Sequence, residues 1–179
     1  MKSTIYLITG NPGKLKELQA LAPKRLDIAS HSLDLPEIQS LDVREVVEDK
    51  VRRAYEQMHA PVIVEDVSTG LDALQGLPGP FFKFFEKTLG KRTLLILSKD
   101  TEPRVTIRCV AAYYDGSTML FGEGIVKGRV VEPRGENGFG FDFTVMPDGE
   151  TRTMAEMSLE EKNAMSHRGQ AMRNLLAQL

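Results

Sequence analysis

The chain has 179 residues, 41% of them hydrophobic, which is enough to bury roughly 70% of the unfolded surface in a single α/β domain spanning 1–179. Lysine and arginine number 23 against 25 aspartates and glutamates, and the resulting net charge of −2 excludes a broad electrostatic attraction to nucleic acid or an anionic membrane. The lone cysteine, Cys109, excludes an intrachain disulfide and a cysteine-cluster metal site, and the longest apolar runs, such as 94–97, fall far short of the ~20 residues of a membrane span. With a strand entered directly at the N-terminus and no signal-peptide pattern, the expectation is a soluble cytoplasmic protein.

Ile5-Tyr6-Leu7-Ile8 is a short apolar run closed by turn residues, and Leu15, Leu18, Leu21 and Ala22 then follow helical spacing. A strand passing into a helix within about five residues aims backbone N–H groups and the positive helix end at one point. Gly10 and Gly13 let an anion approach without a Cβ in the way, and Lys14 adds a full charge. The spacing matches neither Gly-x4-Gly-Lys-Ser/Thr nor Gly-x-Gly-x-x-Gly, so on its own the turn reads as an ordinary βα connection or as an anion site.

Residues 26–29 form a weak strand, and 31–39 a loop holding Pro36 and Glu37. Asp42 opens a helix whose apolar stripe comprises Val43, Val46, Val47, Val51, Ala54, Tyr55 and Met58. Lys50 lies inside that stripe, which means either a stem that snorkels to water or a helix bordering an anionic ligand. Residues 61–64 read as a buried strand with Glu65-Asp66 at its end, either acidic turn residues or carboxylates beyond a strand terminus, where a hard cation binds.

The turn-rich stretch 70–80 ends in Pro80, which suits the first turn of a helix carrying Phe81, Phe84, Phe85 and Leu89 as a core or subunit-interface stripe, with Lys83 off it. Residues 93–97 continue in helix. From 104 to 132 the period changes to two around Asp115-Gly116, predicting a long hairpin whose Val105, Ile107, Cys109 and Ala111 share a buried face. A loop at 137–142 sets aromatics between glycines, where a ring can stack on a base or pack inward. Ser158-x-x-Glu161 is a capping box, and Ser166 caps a last helix that presents His167 and Arg168 at its start. The order βα, α, β, α, hairpin, loop, α predicts a mixed twisted sheet flanked by helices.

Taken together, Thr9-Gly10-Asn11-x-x-Lys14-x-x-Glu17, Glu65-Asp66, Gly76-Leu77-Pro78-Gly79-Pro80, Phe139-Gly140-Phe141-Asp142, Ala155-Glu156-Met157 and Lys162-Asn163-x-x-Ser166-His167-Arg168 resemble the inosine triphosphate pyrophosphatase, or Ham1-like, family over nearly the whole chain. The pattern departs from the family's at Phe141, where Trp or Tyr is usual, and at Phe143, where Pro is. The resemblance implies an elongated two-lobed α/β domain with a cleft between the lobes, usually a homodimer. It implies Mg²⁺-dependent hydrolysis of ITP, dITP and XTP to the monophosphate and pyrophosphate, and no nucleic-acid or membrane partner.

By motif position, the resemblance gives Thr9, Gly10, Asn11 and Lys14 to the phosphates, with Lys50 and Lys83 as further phosphate or sugar contacts. Glu37 and Asp66 would hold Mg²⁺ or orient the attacking water, so that Asp66, Lys14 and Glu37 form the catalytic set. Phe139, Gly140, Phe141 and Asp142 would frame base and sugar, and Lys162, His167 and Arg168 would read the base. A non-catalytic purine nucleotide sensor is the alternative, disfavoured by the intact Glu37 and Asp66.

Overall fold

The computed structural model describes residues 4–179. One mixed sheet organises the chain, in the order β2-β1-β3-β5-β6-β7. β1 (Thr4–Ile8) runs parallel to both β2 (Asp27–His31) and β3 (Val62–Leu71). β3 then pairs antiparallel with β5 (Arg104–Tyr114), which forms the expected hairpin with β6 (Met119–Val130). Two short strands escaped the sequence reading, β4 (Pro78–Gly79) beside β3 and β7 (Val145–Pro147) beside β6. Each is too short to show a period.

The two faces of the sheet carry different helices, and the pleat explains which residues meet which. On one face α2 (Val43–Met58) packs Val43, Val47, Val51 and Ala54 against Val62 and Val64 of β3 and Val110 and Ala112 of β5. On the other, α6 (His167–Leu176) packs Ala171, Met172 and Leu175 against Ile63, Cys109 and Ala111. Gly122 and Gly124 of β6 admit α6 at close range, since a Cβ at Gly124 would overlap the His167 carbonyl. Full burial of each valine, leucine, isoleucine or methionine among these stabilises the fold by about 1.5–3 kcal/mol.

α1 (Pro12–Leu21) starts as its sequence dictates, with Asn11 as N-cap accepting from the Gly13 N–H at 2.9 Å and Pro12 in the first turn. α5 (Leu159–Met165) opens with the Ser158/Glu161 capping box, and Ser166 ends it and caps α6.

The region of the Phe81, Phe84, Phe85 and Leu89 stripe differs from expectation. α3 (Phe82–Leu89) begins two residues after Pro80, and Phe82 is the ring that enters the core. Phe84, Phe85 and Leu89 are exposed, so they are not core residues. The short helix α4 (Thr93–Leu97) follows, with Leu94 buried in the third core cluster beside Leu71, Val105 and Ile107.

Candidate functional site

β3 continues to Leu71, so Glu65 and Asp66 lie within the strand and not beyond its end. Their side chains therefore point to opposite faces of the sheet. Glu65 turns to the α6 side, where it is ion-paired with Lys14, accepts from Arg168 Nε at 3.1 Å and lies 3.4 Å from the Cys109 thiol. Asp66 turns to the α2 side and lies 3.4 Å from Lys50 Nζ. The two acids are neighbours in sequence without sharing one cation.

On the α2 side, Lys50 reaches Glu37 at 2.8 Å as well as Asp66, and Lys83 from α3 is also paired with Glu37. Lys50 lies in the helix's apolar stripe because its ammonium faces this acidic corner; it does not run out to bulk water. Asp66 is held in place by accepting from the Val67 N–H at 2.8 Å. A cleft of about 430 Å³ opens beside this corner, lined by Thr9, Gly10, Lys14, Glu37, Lys50 and Lys83 and bordered also by Glu65. Burial, followed by the charges of Lys87 and Lys14, lowers the Lys83 pKa. Thr9, Gly10, Asn11 and Lys14 surround the start of α1 as expected, with Thr9 Oγ1 accepting from the Asn11 N–H at 3.0 Å.

Gly13 does a different job from the one its sequence suggested. A Cβ there would press on the Phe139 ring at 3.0 Å, so the glycine makes room for that ring. Phe139 is in turn covered by cations, Lys162 at 4.9 Å and Arg168 at 5.2 Å from its centroid. Gly140–Phe143 forms a 3₁₀ turn where an open loop was expected, and the buried Asp142 closes it by accepting from the Phe139 N–H at 2.9 Å. Phe141 meets Phe82 and His167 with ring centroids 5.5 Å away in each case.

Behind these rings runs a buried chain of charges. Glu17 accepts from Lys162 at 2.9 Å and from Arg168 at 3.0 Å, and Lys162 also donates to Asp142 at 2.6 Å. Burial alone would raise the Glu65 pKa, but Arg168 and Lys14 outweigh it and hold the carboxyl well below its ordinary range. Burial works against the Arg168 charge too, and Glu65 and Glu17 overcome it, raising its pKa. His167 has no such partners. Burial, then the charges of Arg168 and Lys162, hold its pKa well below 6.5, and both ring nitrogens lack hydrogen-bond partners among the described residues.

A second cavity of about 260 Å³ joins the two sides, lined by Lys14, Asp66, Lys83, Phe139, Phe141 and Arg168 among others. Arg168 therefore reaches the wall, whereas Lys162 and His167 stand behind it. Lys14 and Lys83 border both cavities and so join the two sides. Among the described residues no group of three or more His, Cys, Asp or Glu side chains could hold a metal. Glu37 and Asp66, which share Lys50, are two carboxylates at this corner that could hold a divalent cation whose shell is completed by water and phosphate.

Glu17 was missed as a site residue although its spacing, three after Lys14 on α1, puts it on the same helix face. Its charge partners lie some 145 to 151 residues away, which no local pattern reveals.

A sequence model of the Ham1 family matches residues 5–178. An inosine triphosphate pyrophosphatase of Pyricularia oryzae is 40% identical, the alignment covering 98% of this chain and 93% of the relative. A dITP/XTP pyrophosphatase of Thermococcus kodakarensis is 36% identical, with 94% and 93% covered. Among solved structures, a HAM1 protein from Coxiella burnetii superposes with a TM-score of 0.81 at 30% identity, covering 99% of this chain and 98% of that one. Near-complete coverage in sequence and in fold, on top of the charge chain and cavities above, leads to one conclusion: the chain belongs to the Ham1 family.

Proposed function

We propose that this protein is a nucleoside-triphosphate pyrophosphatase that hydrolyses non-standard purine nucleotides, ITP, dITP and XTP, to the monophosphate and pyrophosphate. One observation carries the reading: Lys14 borders a lysine-rich cleft on one side and a cavity with aromatic walls and Arg168 on the other. That juxtaposition suits a molecule with a polyanionic end and a flat, hydrogen-bonding end. The names of the relatives in Pyricularia oryzae and Thermococcus kodakarensis support the same substrate class.

On this reading Lys14, Lys50 and Lys83 exchange their carboxylate partners for phosphate oxygens and neutralise charge as the α–β anhydride breaks. Asp66, fixed by the Val67 N–H, orients the water that attacks phosphorus, and pyrophosphate departs without a covalent enzyme intermediate. Glu37 and Asp66 would hold Mg²⁺, which supplies Lewis-acid stabilisation of the phosphate oxygens when bound. Phe139, Gly140, Phe141 and Asp142 frame base and sugar, while Arg168, held by Glu17 and Glu65, presents its remaining N–H groups to the base. Lys162 and His167 support this wall from behind.

We further propose a single working domain over 1–179 that pairs as a homodimer, for which exposed Phe84, Phe85 and Leu89 of α3 supply apolar surface. Free nucleotides are made and used in the cytoplasm, where such an enzyme would work. The decisive assay follows pyrophosphate release from ITP, XTP and ATP with and without Mg²⁺. Release from ITP and XTP far above ATP, abolished by chelation, is expected; binding of ITP without release would favour a sensor.

A further inference from the structure

β7 pairs with β6 only at Gly128, Arg129 and Val130, and among the described residues no strand covers the rest of that edge. Backbone groups left open on a strand edge cost stability and invite another chain. α6 meets them with carboxamides. Gln170 Oε1 accepts from the Ile125 N–H at 3.2 Å, Asn174 Nδ2 donates to the Glu123 carbonyl at 2.8 Å, and Gln178 Nε2 donates to the Phe121 carbonyl at 2.7 Å. A carboxamide both donates and accepts, which lets one side-chain type serve an N–H and two carbonyls in a row.

The spacing of the three bonds is set by the two elements themselves. Four residues of helix rise about 6.0 Å and two residues of antiparallel strand about 6.8 Å, so every fourth residue of α6 meets every second residue of β6. A shift of α6 by one residue turns it by about 100° and breaks all three bonds together. The strip beneath the helix gives no such hold. It is floored by Gly122 and Gly124, where a Cβ would overlap the carbonyls of Ala171 and His167, so no side chains interlock there. Met172 and Leu175 reach past it to Cys109 and Ala111 through apolar contact, which is non-directional. The inner bond of the ladder lies nearest the site. Gln170 is half-buried, follows Arg168 by two residues on the same helix, and uses its Nε2 to donate to the Met165 carbonyl of α5 at 2.8 Å.

We infer that Gln170, Asn174 and Gln178 are positioning residues that fix α6 along β6, and thereby fix where Arg168 enters the aromatic cavity. The inference rests on the reading of Arg168 as the group that faces the base, and one of the measurements below does not need that reading.

The experiment takes Gln170→Leu, Asn174→Leu, the double variant, and Gln170→Glu, which keeps an acceptor for the Ile125 N–H. Hydrogen exchange at Ile125, the NMR signal of the Arg168 Nε–H, and kcat/KM for ITP and ATP are measured in each. Gln170→Leu should speed exchange at Ile125, shift the Arg168 signal and lower the ITP to ATP ratio by roughly threefold or more, chiefly through KM for ITP, a part of what one hydrogen bond is worth. Asn174→Leu should do less, the double variant more than the product of the two, and Gln170→Glu should keep most of the wild-type ratio. Variants that lose stability while the Arg168 signal and the ratio stay unmoved would show that the carboxamides only close the sheet edge, which overturns the proposal. So does an unchanged ratio in variants of a wild type that prefers ITP, whatever the Arg168 signal does. An Arg168 signal that moves in a protein whose wild type treats ITP and ATP alike would uphold the positioning and overturn the base reading.

Discussion

Arg168 donates from Nη1 to the carboxylate of Glu17 at 3.0 Å, tying the start of the last helix to the first. The same carboxylate takes Lys162, so a single side chain on α1 fixes both cations that cover Phe139. Removing one member of a buried, hydrogen-bonded charge set leaves an uncompensated charge, at a cost of about 3–5 kcal/mol. Glu17→Ala should lose that much in urea unfolding; a loss below about 1 kcal/mol would mean that water reaches the cluster.

Selectivity follows from the same geometry. Hypoxanthine presents a C6 carbonyl to a donor such as Arg168, while the adenine amino group would leave that donor unpaired, a penalty of about 1–3 kcal/mol per group. ITP should therefore exceed ATP in kcat/KM by roughly 5- to 150-fold, the worth of one unpaired donor. Arg168→Ala would also expose Glu17 and Glu65, so Arg168→Lys is the cleaner variant, keeping the charge and losing the fork. It should narrow the ITP to ATP ratio; equal losses on both would assign Arg168 to the fold alone.

Asp66→Asn keeps the size of the side chain and its bond to the Val67 N–H while removing a charge from a partly exposed site. Folding should be preserved and hydrolysis should drop by two or more decades. Near-normal turnover at saturating Mg²⁺ would remove Asp66 from the reaction.

Read from sequence alone, Lys50→Met should leave stability unchanged or improved, as the loss of a charge from an apolar stripe. The ion pairs to Glu37 and Asp66 reverse that expectation. The variant leaves two carboxylates facing each other, and because all three groups keep some solvent the cost should be modest, about 1 kcal/mol. Triphosphate binding should weaken with it, and a thermally stabilised variant with unchanged affinity would contradict both points.

The neutral His167 gives stability a pH dependence of known sign. Unfolded histidine takes up a proton near 6.5, whereas burial and then Arg168 and Lys162 prevent this in the folded chain. Stability present above pH 6.5 is therefore lost as pH falls toward the folded value, at up to about 1.4 kcal/mol per unit. Glu65 acts in the same direction but only below its unfolded value of 4.5, outside that window. His31 and His59 are exposed. Urea midpoints between pH 7.5 and 5.5 should fall in the wild type and stay flatter in His167→Leu; identical slopes would assign the effect elsewhere.

Local patterns made most of the fold legible. Asp42, the Ser158 capping box and Ser166 announced helix starts, and period-two alternation announced the hairpin. The failures share a cause. Glu65 and Asp66 looked terminal because a polar pair normally ends a strand, and only the pairing with β5 carries β3 on to Leu71. Phe82 and Phe84 could not be told apart as core and surface rings until the start of α3 was fixed. The pairing of Glu17 with Lys162 and Arg168 is a property of the folded sheet, which alone brings α1 against α6.

The pleat of β3 has a consequence for how such a protein can change. Glu65 holds Arg168 yet also borders the lysine-rich cleft, and Asp66 reaches Lys50 yet also borders the aromatic cavity, so neither acid belongs to one wall alone. A lineage that remodels either wall therefore carries one of the two acids with it. The adjacent codons for Glu65 and Asp66 are therefore tied through both cavities, and the effects of changing the two acids should not simply add when combined.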